Sequence, residues 1–145
     1  MSVFRSRAAA GFSLIEILVV VVIIGILAAV VVPRVMDEPD RARVTKARQD
    51  VQALVTALNM YKLDNYHYPS TEQGLDALIR QPAGQPEAAN WKPGGYIDRL
   101  PTDPWGRPYQ YLNPGLKGEI DVWSFGANGM PGGEGTNAEI GNWEG

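Results

Sequence analysis

The chain contains no cysteine. That excludes disulfide staples, thiolate metal centres and thiol catalysis, so packing, backbone turns or a bound ion must hold any exported domain together. Histidine occurs once, at His67. Without a second histidine or a cysteine, His67 reads as a surface turn residue, and no nucleophile, base and orienter can be assembled from the scattered acids. An enzyme is not expected. No Lys/Arg-rich run occurs, and the formal net charge of −3 argues against nucleic-acid binding through a basic face. Glycine and proline are also scarce at first. Only three of the 16 glycines and three of the 11 prolines precede residue 82, so turns and short strands belong to the last 64 residues.

The early part holds a long apolar run instead, GFSLIEILVVVVIIGILAAVVV at 11–32. At about 1.5 Å per helical residue, 12–32 spans roughly 31 Å, enough to cross a bilayer core of about 30 Å. The segment before it carries Arg5 and Arg7 and no acid. It should stay cytoplasmic, with the C-terminal part sent outward. A secretory signal would place small residues after the apolar run, but Pro33 and Arg34 stand there. Gly25 and Pro33 make 25–33 the segment easiest to bend or unwind.

Glu16 lies inside the run, where an ionised carboxylate costs a few kcal/mol unless it reaches headgroups or a partner. Two readings stay open. It is an interfacial acid on an ordinary anchor, or, if the chain is cut between Gly11 and Phe12, it faces the new amine of Phe12 in its own or a neighbouring copy.

The remainder, 37–145, suffices for one small domain with a modest core. Asp37, Glu38, Pro39 and Asp40 read as a juncture before a renewed helix. There Val44, Ala47, Val51, Leu54, Val55, Leu58 and Tyr61 recur at three- and four-residue steps, opposite a charged face. Ser70 and Gln73 suggest a capping box for a short second helix with Leu75, Leu78 and Ile79 on its apolar edge. Asp103-Pro104-Trp105-Gly106 fits a β-turn whose Trp105 covers the core. Segments 109–112 and 119–125 read as two antiparallel strands.

The stretch 125–139, FGANGMPGGEGTNAE, is rich in glycine and oxygen donors. Glycines let backbone carbonyls converge, and Asn128, Glu134, Thr136, Asn137 and Glu139 offer hard oxygens of the kind calcium prefers. Neither the EF-hand order nor a phosphate loop is present. On composition alone it is either a flexible turn without an ion or a cation loop.

The basic leader ending in Gly11, followed by Phe12, Glu16 and an unbroken apolar run, resembles the class III signal of type IV pilin-like proteins. YKLDN at 61–65, YPSTEQGL at 68–75 and FGANG with PGGEGTNAEIGNW at 125–143 are similar to the major pseudopilins of type II secretion systems. The resemblance implies an α+β, pilin-like fold: a long N-terminal helix on a small antiparallel sheet with a Gly-rich C-terminal loop. It divides the chain into a cleaved leader at 1–11, a transmembrane and filament-core helix at 12–36 and a periplasmic head at 37–145. It further implies cleavage after Gly11 by a prepilin peptidase, N-methylation of Phe12, and pairing of Glu16 with the terminal amine of an adjacent subunit. The stem around 25–33 would melt on assembly.

For the loop, the resemblance implies a calcium ion held by the carbonyls of Phe125 and Met130 and the side chains of Asn128, Thr136 and Glu139. Asn128 and Glu139 both stand where the family normally has Asp, which removes one charge and lengthens one acid; Glu134 is a substitute acid. The implied function is the main building block of a pseudopilus: a homopolymer, with minor pseudopilins and an inner-membrane assembly platform as partners, that polymerises in the periplasm to drive folded proteins through the outer membrane. Each subunit would start as a single-pass inner-membrane protein with a cytoplasmic N-terminus. A type IV pilus subunit for adhesion or motility is the alternative, against which the absent cysteines and the YKLDN, STEQGL and DPWG stretches speak.

Overall fold

A computed structural model describes residues 11–144, the side chains of 30–37 excepted. All of the expected leader but Gly11 lies outside the described residues. One helix, α1, runs Leu14–Asn65. After it come a 3-10 turn at Leu75–Leu78, strands β1 (Gln110–Leu112) and β2 (Asp121–Ser124), a 3-10 turn at Gly135–Asn137, and β3 (Ile140–Gly141). The chain divides into two compact units, Met1–Pro39 and Asp40–Gly145.

The helix continues through Gly25, Pro33 and Pro39, where a juncture was expected. A proline inside a helix removes one donor and crowds the preceding turn, but its fixed φ of about −65° is already helical. In the first unit every large apolar side chain from Leu14 to Leu27 is half or more exposed, from 50% at Val19 to 85% at Leu14. Within that unit, among the described residues, nothing covers this surface. Among the described residues no helix is long and apolar enough to cross a membrane. The described apolar side chains stop at Ala29, about 24 Å of helix from Leu14, and the last of the run falls at 30–32.

In the second unit the helix stripe is buried as its spacing requires. Ala47, Val51, Leu54, Ala57, Leu58 and Tyr61 are at most 2% exposed, and Val44 and Val55 pack at their edge. The sheet is antiparallel, in the order β1-β2-β3. Tyr111 pairs with Val122, and Trp123 with Gly141. Val122, Tyr109, Tyr111, Ile120 and Ile140 join the helix stripe in one core, against which Trp105 and Trp91 pack. The third strand was not expected. Its two residues are too few to alternate, and its place follows from Asn142, whose Oδ1 accepts the Val122 N–H at 3.0 Å and whose Nδ2 donates to the Ile120 carbonyl at 2.9 Å.

Ser70 and Gln73 form the reciprocal bonds of a capping box, with Ser70 N–H to Gln73 Oε1 at 3.0 Å and Gln73 N–H to Ser70 Oγ at 3.1 Å. The box closes a turn at 71–73. The 3-10 turn itself begins after Gly74, with no side-chain cap. Gln73 also donates to the Pro86 carbonyl at 2.9 Å, so the box pins the 81–95 loop as well.

Candidate assembly and cation sites

The N-terminal site is built on the first turn of α1. Ser13 N–H donates to Glu16 Oε2 at 3.2 Å, and Glu16 N–H donates to Ser13 Oγ at 3.2 Å. This is a second capping box, which satisfies two of the donors a helix start leaves unpaired. The S-x-x-E spacing at 13–16 is the local signal for it, set inside an apolar run. Phe12 is 82% exposed and Gly11 precedes it in open space. The structure therefore gives Glu16 a local role as cap, its Oε2 taking the Ser13 amide.

The C-terminal loop doubles back on itself. Ala127 N–H donates to the Thr136 carbonyl at 2.9 Å, and a Cβ on Gly126 would lie 2.6 Å from the Ala138 carbonyl oxygen. Gly126 also has φ +84°, so only glycine serves here without strain. The arms carrying Phe125 to Asn128 and Thr136 to Glu139 are thus brought side by side. Asn128 Oδ1 accepts the Met130 N–H at 3.1 Å, in an Asx turn. Glu139 lies 3.7 Å from Lys117 Nζ, which sits 3.8 Å above the Trp143 ring. Glu134 is exposed, and its carbonyl receives the Asn137 N–H at 3.0 Å.

These donors are all oxygen on a glycine-rich backbone, the chemistry that suits calcium. No group of three or more His, Cys, Asp or Glu gathers for a metal among the described residues. An ion here would rest on the Phe125 and Met130 carbonyls, the Asn128 and Thr136 oxygens and the single carboxylate of Glu139. Lys117 would have to release that carboxylate.

Beneath the loop lies a network that sequence reasoning missed. Asp103 and Gly106 close the expected turn, with Gly106 N–H to the Asp103 carbonyl at 2.9 Å. The Asp103 carboxylate is buried and accepts from Trp105 N–H at 3.1 Å, Arg107 N–H at 2.8 Å and Ser124 Oγ at 2.8 Å. Ser124 Oγ in turn accepts the Gly126 N–H at 3.1 Å. Asp103 and Ser124 are 21 residues apart, so no local spacing announces their contact. His67 is half-buried, its ring nitrogens 3.1 Å from the Tyr68 carbonyl and 3.0 Å from the Glu87 carbonyl. It joins the helix-end turn to the 81–95 loop.

An apolar helical stem with an acid in its first turn, and a small α+β head closed by a Gly-rich loop, define a pilin-like structural subunit. The family model described as type II secretion system, protein G, matches 34–143, and the prokaryotic N-terminal methylation motif matches 6–32. The chain is 59% identical to the type II secretion system core protein G of Pseudomonas aeruginosa over 140 residues, covering 97% of this chain and 99% of that one. It is 56% identical to the core protein G of Vibrio cholerae over 139 residues, covering 96% and 94%. The crystal structure of the major pseudopilin from the type 2 secretion system of enterohaemorrhagic Escherichia coli matches with a TM-score of 0.67 and 50% identity, over 74% of this chain and 92% of that one. The chain belongs to the type II secretion system protein G family, the major pseudopilins. It is a structural subunit and not an enzyme, and the pilus-subunit alternative is not favoured.

Proposed function

We propose that this chain is the repeating unit of a periplasmic pseudopilus that moves folded proteins across the outer membrane by polymerising. The observation that carries the reading is the first unit's surface: a helix whose large apolar side chains are half or more exposed. So large an apolar surface must be covered by lipid or by other copies. Before assembly the stem lies in the inner membrane, N-terminus in the cytoplasm, and a prepilin peptidase cuts between Gly11 and Phe12. The new amine of Phe12, N-methylated, pairs with Glu16 of an adjacent copy. Minor pseudopilins and an inner-membrane platform complete the assembly.

Calcium belongs to the same proposal. Carbonyls of Phe125 and Met130, side chains of Asn128 and Thr136, and the Glu139 carboxylate would hold it, taking the place of a disulfide in closing the loop. Intact-mass analysis of the chain in sheared filaments tests the processing and assembly reading. A species that begins at N-methylated Phe12 is expected. Filaments built from chains that keep the leader would contradict it.

A further inference from the structure

Arg107 makes a contact that the resemblance does not account for. Its Nη1 donates to the Gly126 carbonyl at 3.0 Å, and Nη1 and Nη2 lie 3.4 and 3.3 Å from the Ala127 carbonyl. The guanidinium lies against Gly129, where a Cβ would run into Arg107 Nε, so the loop backbone leaves room for it. The root of the side chain is fixed on both sides: Arg107 N–H donates to Asp103 Oδ1 at 2.8 Å, and its carbonyl accepts the Asp103 N–H at 2.7 Å. Through Ser124, the Asp103 carboxylate reaches the Gly126 N–H. Gly126 is therefore held at its carbonyl by Arg107 and at its N–H through Asp103.

We propose that Arg107 is the resident cation of the 125–139 loop, a positioning residue that gathers the Gly126 and Ala127 carbonyls and keeps the loop's first arm closed with no ion bound. Carbonyls turned toward one point repel one another, and a fixed positive charge offsets that repulsion. A planar fork reaches two acceptors at once, which a lysine ammonium cannot reproduce from the same root. The same arm carries Asn128, which has no charge of its own, and the guanidinium holds it beside the Thr136 to Glu139 arm. The role of Arg107 in the chelated protein stands apart from the calcium reading; its effect on calcium affinity rests on that reading.

The test is amide hydrogen exchange on the full chain in detergent, with chelator and then with millimolar calcium, for wild type, Arg107→Gln and Arg107→Lys. In chelator the wild-type Gly126 and Ala127 amides stay protected. In Arg107→Gln they exchange at least about tenfold faster, the scale of one lost charge-assisted hydrogen bond, with amides of Val51 to Leu58 as before. Arg107→Lys falls between. Loop exchange in Arg107→Gln equal to wild type overturns the proposal. So does equal acceleration of loop and helix in both variants, which would make Arg107 a support of the whole head. Calcium that restores protection in Arg107→Gln joins the two readings. Calcium without effect on any of the three proteins sinks the calcium reading and leaves the chelator comparison to decide the role of Arg107.

Discussion

Ser13 and Glu16 hold each other through two hydrogen bonds of 3.2 Å, each backbone N–H answered by the other's side chain. An amide oxygen can accept the same bond from Ser13, so Glu16→Gln keeps the cap and removes only the charge. Helix content of the detergent-solubilised chain should stay unchanged, by circular dichroism, while filament yield falls at least tenfold. Undiminished filaments from Glu16→Gln would mean that the cap alone suffices. Glu16→Ala, which loses both, should also cost the helix start about 1 kcal/mol.

Tyr61 is fully buried, and its hydroxyl has no hydrogen-bond partner among the described residues. Tyr61→Phe should therefore leave the melting temperature level or raise it. Tyr111→Phe is the contrast, because the Tyr111 hydroxyl donates to the Pro69 carbonyl at 2.7 Å. Its loss should cost about 1 kcal/mol, roughly 5 °C.

The same tyrosines set an alkaline limit. Burial, with a smaller effect of Tyr96, pushes Tyr61 up from 10.0 to about 12. Burial also raises Tyr109, helped by its bond to Asp50, and Tyr111. A raised folded value means that the fold favours the protonated form. That stability is full below pH 10 and declines as pH rises from there through about 12. Melts between pH 9 and 12 (an approximate range set by these values) should show the decline, made shallower by Tyr61→Phe.

Asp103→Ala would leave the buried Ser124 Oγ and the part-buried Trp105 and Arg107 N–H groups without their acceptor. Denaturant unfolding should show a loss of about 2–4 kcal/mol. A loss below about 0.5 kcal/mol would mean that water replaces the carboxylate freely.

Calcium at about 100 times its dissociation constant should add roughly 2.7 kcal/mol, a rise on the order of 10 °C in the melting of the head. Glu139→Ala should abolish the rise. A rise that survives it would move the acid ligand to Glu134.

Local patterns carried much of this molecule, and contacts across long separations carried the rest. The stripe from Val44 to Tyr61 was legible because helical spacing alone decides which side chains share a face, and 103–106 because proline and glycine dictate turns locally. The course of α1 through Pro39 was not, since a proline only raises the cost of a helix that its neighbours sustain. Nor was β3, whose two residues are placed by Asn142, nor the Arg107 clamp on Gly126, which depends on the tertiary approach of two loops. For the loop, the sequence supplied the donors' identities, while Lys117 on Glu139 emerged only in three dimensions.

The most direct test of the account is removal of the gene from its own host, with folded exoproteins measured in periplasm and culture medium. They are expected to accumulate, still folded, in the periplasm, and the wild-type chain to restore their release where Glu16→Gln does not. Undiminished release, with loss of surface fibres instead, would contradict it and make the chain a pilus subunit.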